Sequence, residues 1–341
     1  MSRRLEVRPF VPADLPRVVE LAQVALGEGS VPRTVEYWRW KHLESPFGSS
    51  LGLLAERGGD LVGMRLFLRW RLRAGGSDVD AVRAVDTATH PAWQGRGIFR
   101  RLTEDLVAKT AEEGVALVFN TPNRASRSGY LKMGWRDVGR VPVRLGAPAP
   151  GRLARSLVRA SRGEASETGP QDAERLGTVE QLLAVPELPD LLASWAARET
   201  RLHTPRTLSY LRWRYAAAPG LRYHAAWSFG GGADAAVILR LRHRGAFRET
   251  ALCEILESPG PEGREAAGRL VRSAVRAAGG DYAAAVAVGG TPEAGALGRA
   301  GLARLPLPSP RFTVRRLEAS APADMSRWAG WRLGLGDLEL M

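Results

Sequence analysis

Ala84-Val-Asp-Thr-Ala-Thr-His-Pro-Ala-Trp-Gln-Gly-Arg-Gly-Ile-Phe-Arg-Arg-Leu102 decides how this 341-residue chain folds. Its first residues read as a strand that ends at Pro91. Gln94-Gly-Arg-Gly97 then forms a loop, and a helix begins at once. Such a turn leaves consecutive N–H groups and the positive end of the helix dipole free for an anion. Glycines at 95 and 97 let the backbone come close to phosphate oxygens. Arg96, Arg100 and Arg101 add positive charge where a pyrophosphate would lie. The loop is not a dinucleotide fingerprint, because Gly-x-Gly-x-x-Gly fails at Arg100, and no Gly-Lys-Ser/Thr follows to make a P-loop. Taken alone, those four loop residues also fit an ordinary strand–turn–helix.

Outward from this stretch, the chain reads as two similar halves. Pro32-Arg-Thr-Val-Glu-Tyr-Trp-Arg-Trp-Lys41 returns as Pro205-Arg-Thr-Leu-Ser-Tyr-Leu-Arg-Trp-Arg214, keeping Pro, Arg, Thr, Tyr, Arg and Trp in register. Each copy precedes a proline–glycine turn and strand-like runs, 51–56 and 61–70 in one half, 223–228 and 235–241 in the other. Each half then has a helix (97–113; 262–278), an apolar strand (115–120; 282–288) and a Thr-Pro step, Thr121-Pro or Thr291-Pro, into a short helix. A matching order of three elements implies duplication. The first half also opens with a strand, 5–9, and a helix starting near Asp14, a good N-cap. The expected class is α/β (α+β): two domains, each a mixed, mostly antiparallel sheet flanked by helices. Residues 1–145 form the first domain, 178–341 the second. The Gly/Pro/Ser-rich stretch 146–177 reads as the linker, with room for an amphipathic turn at 153–159.

Composition excludes several classes. The single cysteine, Cys253, rules out an internal disulfide. With five histidines and no His-x-x-x-His pair, no metal site is expected. No apolar run reaches the ~18 residues of a membrane span. The start, Met1-Ser-Arg-Arg-Leu-Glu-Val-Arg8, turns charged where a secretory core would begin, so a cytoplasmic protein is expected. The net charge is +13, but only Lys41, Lys109 and Lys132 are lysines and the other 46 cations are arginines spread along the chain. Arg69, Arg71 and Arg73 alternate as on one strand face. Most of that charge reads as solvated surface, the remainder as an anion site.

At Gln94-x-x-Gly97-x-Phe99, following Ala88-Thr-His-Pro91, the sequence resembles the acyl-CoA signature of the GNAT N-acetyltransferase superfamily. Asn123 lies seven residues before Tyr130, and Tyr130-Leu-Lys-Met-Gly-Trp135 is similar to the family's Tyr-x-Lys-x-Gly-Phe element. Leu5-Glu-Val-Arg-Pro-Phe10 and Asp14-Leu-Pro fit its usual opening. The resemblance covers residues 5–140 and implies an acyl-CoA co-substrate, acetyl-CoA in the simplest case. It implies that Gln94, Gly95, Arg96, Gly97 and Ile98 bind pyrophosphate, that Ala88 and Thr89 pair with the pantetheine arm, and that Asn123 lies beside it. Tyr130 would protonate the departing thiolate. Phe99 departs from the family's Gly or Ala, which would push the pyrophosphate outward or cap the pocket.

The chemistry needs little more, since a neutral amine attacks a thioester directly and a tyrosine can donate to the leaving thiolate. Asp86, on a strand between small neighbours, is the expected base; an ion pair with Arg83 or Arg65 is the competing reading. His90 is a lesser candidate as proton carrier, and Asp337 near the chain end another base. Tyr37–Trp40 reads mainly as core. In the second half, Ser258-Pro-Gly-Pro lacks the signature, its prolines remove N–H donors, and Ala296, Leu297 and Gly298 stand where Tyr130 would. A tandem member is therefore expected, with a degenerate second domain that shapes the acceptor site. The acceptor would be a primary amine on a small molecule or peptide, and the sequence fixes no oligomeric state. Two rivals keep the fold: an aminoacyl-tRNA-dependent transferase, and an acyl-CoA-binding module without turnover.

Overall fold

The computed structural model describes residues 5–26, 32–164, 176–230 and 232–338. Thirteen strands follow one another among the described residues. They are β1 (Glu6–Pro9), β2 (Leu51–Arg57), β3 (Asp60–Ala74), β4 (Ser77–Thr89), β5 (Leu117–Asn120), β6 (Arg136–Arg140) and β7 (Val143–Gly146). The rest are β8 (Gly177–Thr178), β9 (His224–Ser228), β10 (Ala235–Arg244), β11 (Phe247–Glu257), β12 (Tyr282–Val286) and β13 (Arg311–Arg316). They form two sheets, ordered β1-β2-β3-β4-β5-β13-β6 and β8-β9-β10-β11-β12-β7. All neighbours are antiparallel except β4/β5 and β11/β12. The expected class, two mostly antiparallel sheets flanked by helices, is the one observed.

The halves exchange a strand. From the first half, β7 pairs with β12 of the second sheet, Val143 facing Val286. From the second half, β13 inserts between β5 and β6 of the first sheet, Thr313 facing Asn120 and Asp137. A boundary at residue 145 thus falls inside a strand of the second sheet, and 178–341 includes a strand of the first. The segment 146–177 also differs from a plain linker, because it carries a helix at Pro150–Ser161. Proline at its start suits a helix, its Ser156 is buried, and the Arg152 guanidinium donates to the Gly279 carbonyl. Residues 165–175 lie outside the described part.

The repeated segments form helices that meet face to face. Thr34 caps Val35–Leu43, and Thr207 caps Leu208–Leu211, which widens into a π-helical turn over Arg212–Ala216. Trp40 Nε1 donates to the Trp213 carbonyl at 2.7 Å, and Trp213 Nε1 donates to the Trp40 carbonyl at 3.0 Å. The two indoles stack, centroids 5.1 Å apart. These residues are 173 apart, the same offset that superposes the repeats. The contact is reciprocal, as at a twofold axis. The helix Val35–Leu43 is covered except on the side of Glu36 and Arg39, so Tyr37, Trp38, Trp40, Lys41 and His42 are all buried. Trp40, Trp70, Trp213 and Trp331 thereby share one core that spans both halves. The helices Ile98–Glu112 and Gly260–Ala278 cover separate cores on the outer faces.

Candidate active site

Strand β4 stays paired with β3 as far as Thr89, but with β5 only from Ala81 to Arg83. Beyond Arg83 the two parallel strands part, so among the described residues the backbone of 84–89 has no strand neighbour on its β5 side. A bulge marks the place: Arg65 faces Thr87 and Leu66 faces Val85, leaving Asp86 unpaired between them. Asp86 has φ +33°, the only positive φ on a non-glycine among the described residues. Strain of this kind, on the order of 1–3 kcal/mol, persists where surrounding contacts hold it.

Here those contacts are a lysine and a histidine from the repeat helix. The Lys41 ammonium pairs with the Asp86 carboxylate, and His42 Nε2 lies 3.1 Å from the same oxygen. Burial alone would raise the Asp86 carboxyl, but Lys41 and His42 outweigh it and hold it well below the usual carboxylate range. Burial also lowers His42, which is therefore neutral. The tautomer that satisfies both neighbours keeps the proton on Nε2, facing Asp86, and lets Nδ1 accept from the Ser50 hydroxyl at 2.9 Å. The partners of Asp86 are thus Lys41 and His42, where the sequence had suggested Arg83 or Arg65. A carboxylate held this far below neutrality accepts protons poorly; 18% of its side chain remains exposed.

Tyr130 lies across from the bulge on the helix Arg124–Lys132 and is buried. Its ring meets Phe99 and Trp135 edge-on at 5.6 and 5.0 Å. Its hydroxyl accepts a hydrogen bond from Arg65 Nη2 at 2.7 Å, while Arg65 Nη1 donates to the Val85 carbonyl at 3.0 Å. Phe99 therefore faces the sheet and leaves the outer side of the loop open.

The glycine loop has the expected form. Gly95 and Gly97 have φ +73° and +77°, and a Cβ placed on either would meet nothing within 4 Å. Gly97 caps the 15-residue helix Ile98–Glu112, so the N–H groups of its first turn have no helical acceptor. Gln94 Nε2 bonds the Thr89 carbonyl at 3.3 Å, Arg96 lies over the Trp93 ring, and Arg100 and Arg101 pair with Glu104 and Asp105. The Ile98 side chain is buried, leaving its N–H for the loop, and Ala88 is buried in β4. Asn123 caps the Tyr130 helix, its Oδ1 accepting from the Ser126 N–H at 2.8 Å. His90 Nδ1 accepts from the Ala92 N–H at 3.3 Å, an ordinary cap.

The second half repeats the frame and loses the groups. Its register shift falls at Cys253, between the Leu252 and Glu254 pairs, and β11 pairs with β12 only from Glu249 to Leu252. The 173-residue offset that superposes the tryptophans places Ile238 where the first half has Arg65. The opening beside β11 is filled by the end of the chain. A Cβ placed on Gly334 or Gly336 would lie 3.1 or 3.0 Å from the Cys253 carbonyl. Asp337 is fixed there by Arg206 at 2.7 Å and by the Gly334 N–H. The same tail touches the first sheet, where Arg83 Nη2 donates to the Leu338 carbonyl at 3.0 Å.

Sequence reading missed Lys41 and His42, and named Arg65 only as an ion-pair partner for Asp86. The available signal was the repeat itself, which sets a charged Arg65 against an apolar Ile238.

The first half thus has a bulged, splayed strand that leads through a glycine loop into a helix, with a tyrosine helix opposite. The family model for the acetyltransferase (GNAT) domain matches residues 6–138, and this segment is a GNAT domain. The two sheets together fit a tandem GNAT-like arrangement, and solved structures share the fold. A probable N-acyltransferase from Enterococcus faecalis is 12% identical with a TM-score of 0.63, over 92% of this chain and 73% of that one. A GCN5-related N-acetyltransferase from Anabaena variabilis is 12% identical with a TM-score of 0.60, over the same shares. Eis1 from Mycobacterium abscessus is 17% identical with a TM-score of 0.55, over 95% and 76%. Among curated proteins, none matches the sequence. No helix among the described residues is long and apolar enough to cross a membrane.

Proposed function

We propose that the protein is an acyl-CoA-dependent N-acyltransferase, of the N-acetyl type by its family, with one active site in the first half. The acceptor is a primary amine on a small molecule or peptide. The observation that carries this reading is the parting of β4 from β5 after Arg83, directly between the glycine loop and Tyr130. The gap exposes one backbone edge of residues 84–89, including Ala88 and Thr89, to the pantetheine arm. The N–H groups of Gly95 to Ile98 and the helix dipole take the pyrophosphate. Asn123, with Oδ1 committed to its cap, offers its amide N–H groups beside the arm.

Transfer is direct. The neutral amine attacks the thioester carbonyl, the C–S bond breaks towards sulfur, and the Tyr130 hydroxyl gives sulfur its proton. The proton shed by the new amide nitrogen makes up the balance, so the products are amide and free thiol. Asp86 acts as a fixed negative charge beside the transfer point, orienting the acceptor. The second half is a degenerate partner, since Cys253 replaces Asp86, Ile238 replaces Arg65, and the tail fills its opening. Phe99 packs edge-on against Tyr130, a placement that favours an acyl-CoA donor over the aminoacyl-tRNA alternative.

The test is a thermal shift with CoA, followed by release of free thiol from acetyl-CoA in the presence of amines. Stabilisation that is lost in Gln94→Ala and Gly97→Asp supports the reading. No stabilisation and no thiol release with any acyl-CoA overturns it.

A further inference from the structure

Arg65 has no assigned role in the reaction, and its surroundings give it one. It is fully buried and makes no hydrogen bond to a carboxylate. Phe67 lies under its guanidinium at 4.8 Å and Phe99 at 5.9 Å. Its two hydrogen bonds go to the bulge carbonyl of Val85 and to the Tyr130 hydroxyl. Holding a cation in such a site costs free energy, and burial lowers its pKa accordingly.

Shaping the bulge does not explain that cost. The second half builds the same bulge, at the same place in its sheet, with the apolar and fully buried Ile238. The half that has an arginine there also has the tyrosine, and the half that lacks one lacks the other. A guanidinium only donates, so the Tyr130 oxygen is the acceptor in this contact and its own proton points elsewhere. Arg65 also fixes Val85, one residue before Asp86, so a single side chain sets the distance between the splayed strand and the tyrosine.

We propose that Arg65 is the positioning residue for proton delivery by Tyr130: it aims the hydroxyl proton at the departing sulfur and stabilises the oxygen that remains when the proton leaves. This rests on the acyltransferase reading above. When sulfur takes the C–S electron pair and the Tyr130 proton, negative charge appears on the tyrosine oxygen, 2.7 Å from Arg65 Nη2. The charge is discharged when the tyrosine recovers the proton shed by the acylated nitrogen.

The test is a double-mutant cycle on release of CoA thiol from acetyl-CoA, with hydroxylamine and benzylamine as probe acceptors. Arg65→Ile copies the second half; Arg65→Lys keeps the charge and loses the two-pronged geometry. CoA affinity and thermal midpoint are measured for each variant. We expect Arg65→Ile to lower kcat about 10- to 100-fold, the scale of a charged hydrogen bond, with CoA affinity unchanged. In a Tyr130→Phe background the same change has no further effect. Losses in kcat that multiply, or an Arg65→Ile protein with full kcat, overturn the proposal while leaving the transferase intact. If Arg65→Ile does not fold, Arg65→Lys decides by the same criterion. Wild-type protein that releases no thiol overturns the transferase reading and this inference with it.

Discussion

Substituting Gly97 separates the two demands placed on the loop, because its left-handed backbone and its empty surroundings contribute differently. With φ +77° and no atom within 4 Å of a placed Cβ, a side chain meets no clash and costs only local strain, ~1–2 kcal/mol. Asparagine tolerates this conformation better than most residues, so Gly97→Asn folds with a small loss of stability. Gly97→Asp has nearly the same shape and adds one negative charge where the pyrophosphate is placed. At ~5 Å that charge repels a phosphate by about 1 kcal/mol in bulk water and about 3 kcal/mol at a partly screened surface. The aspartate variant should therefore bind CoA about 5- to 200-fold more weakly than the asparagine variant. Titration calorimetry with CoA at low salt and at ~1 M salt measures the difference, which should largely vanish as screening shortens to ~3 Å. Pantetheine, which lacks the pyrophosphate, should not distinguish the two. Equal weakening of CoA by both variants, or a gap that persists in pantetheine, would refute the placement of the pyrophosphate at this loop.

Tyr130→Phe should lower kcat by ~10²–10⁴ and leave CoA affinity intact; a titration and a steady-state assay check the pair. Trp40→Phe and Trp213→Phe each remove an indole donor from a buried carbonyl, worth ~1–3 kcal/mol. Because those rings stack, urea unfolding of the double variant should depart from the sum by more than ~0.5 kcal/mol. Burial lowers His42, His203 and His224. The unfolded chain therefore binds more protons, and stability falls as pH drops below ~6.5. Glu257 works in the opposite direction. Burial and neighbouring Glu293 push it up to about 8, so stability falls as pH rises from ~4.5 towards that value. Urea midpoints between pH 5 and 9 should thus pass through a maximum, and Glu257→Gln should flatten the alkaline side.

Much of this was legible because it is local. The glycine loop, the strand before it and the Tyr130 helix are fixed by contiguous residues, and the repeat announced two similar halves. The strand exchange was not legible. β7 and β13 are short alternating segments, and nothing in Val143–Gly146 says that its partner is β12. Pairing across some 190 residues, as between Thr313 and Asn120, leaves no trace in periodicity. Charged side chains on strands and helices misled in another way. Arg65, Lys41 and His42 stand in patterns that ordinarily face water, and only the packing of the helix against the second half and of Tyr130 against Arg65 buries them. Asp86 was found because small neighbours surround it, yet its partners lie on a helix about 45 residues earlier and could not be read from the strand.

Because each sheet is completed by a strand of the opposite half, neither half contains all of its own interior. Removing β13 would leave β5 with one unpaired edge and detach β6 altogether. The chain should accordingly melt in a single transition. It also gives the second half a reason to persist: the glycine loop and Tyr130 belong to a sheet whose sixth strand in order, β13, is on loan, and losing the second half would open the first.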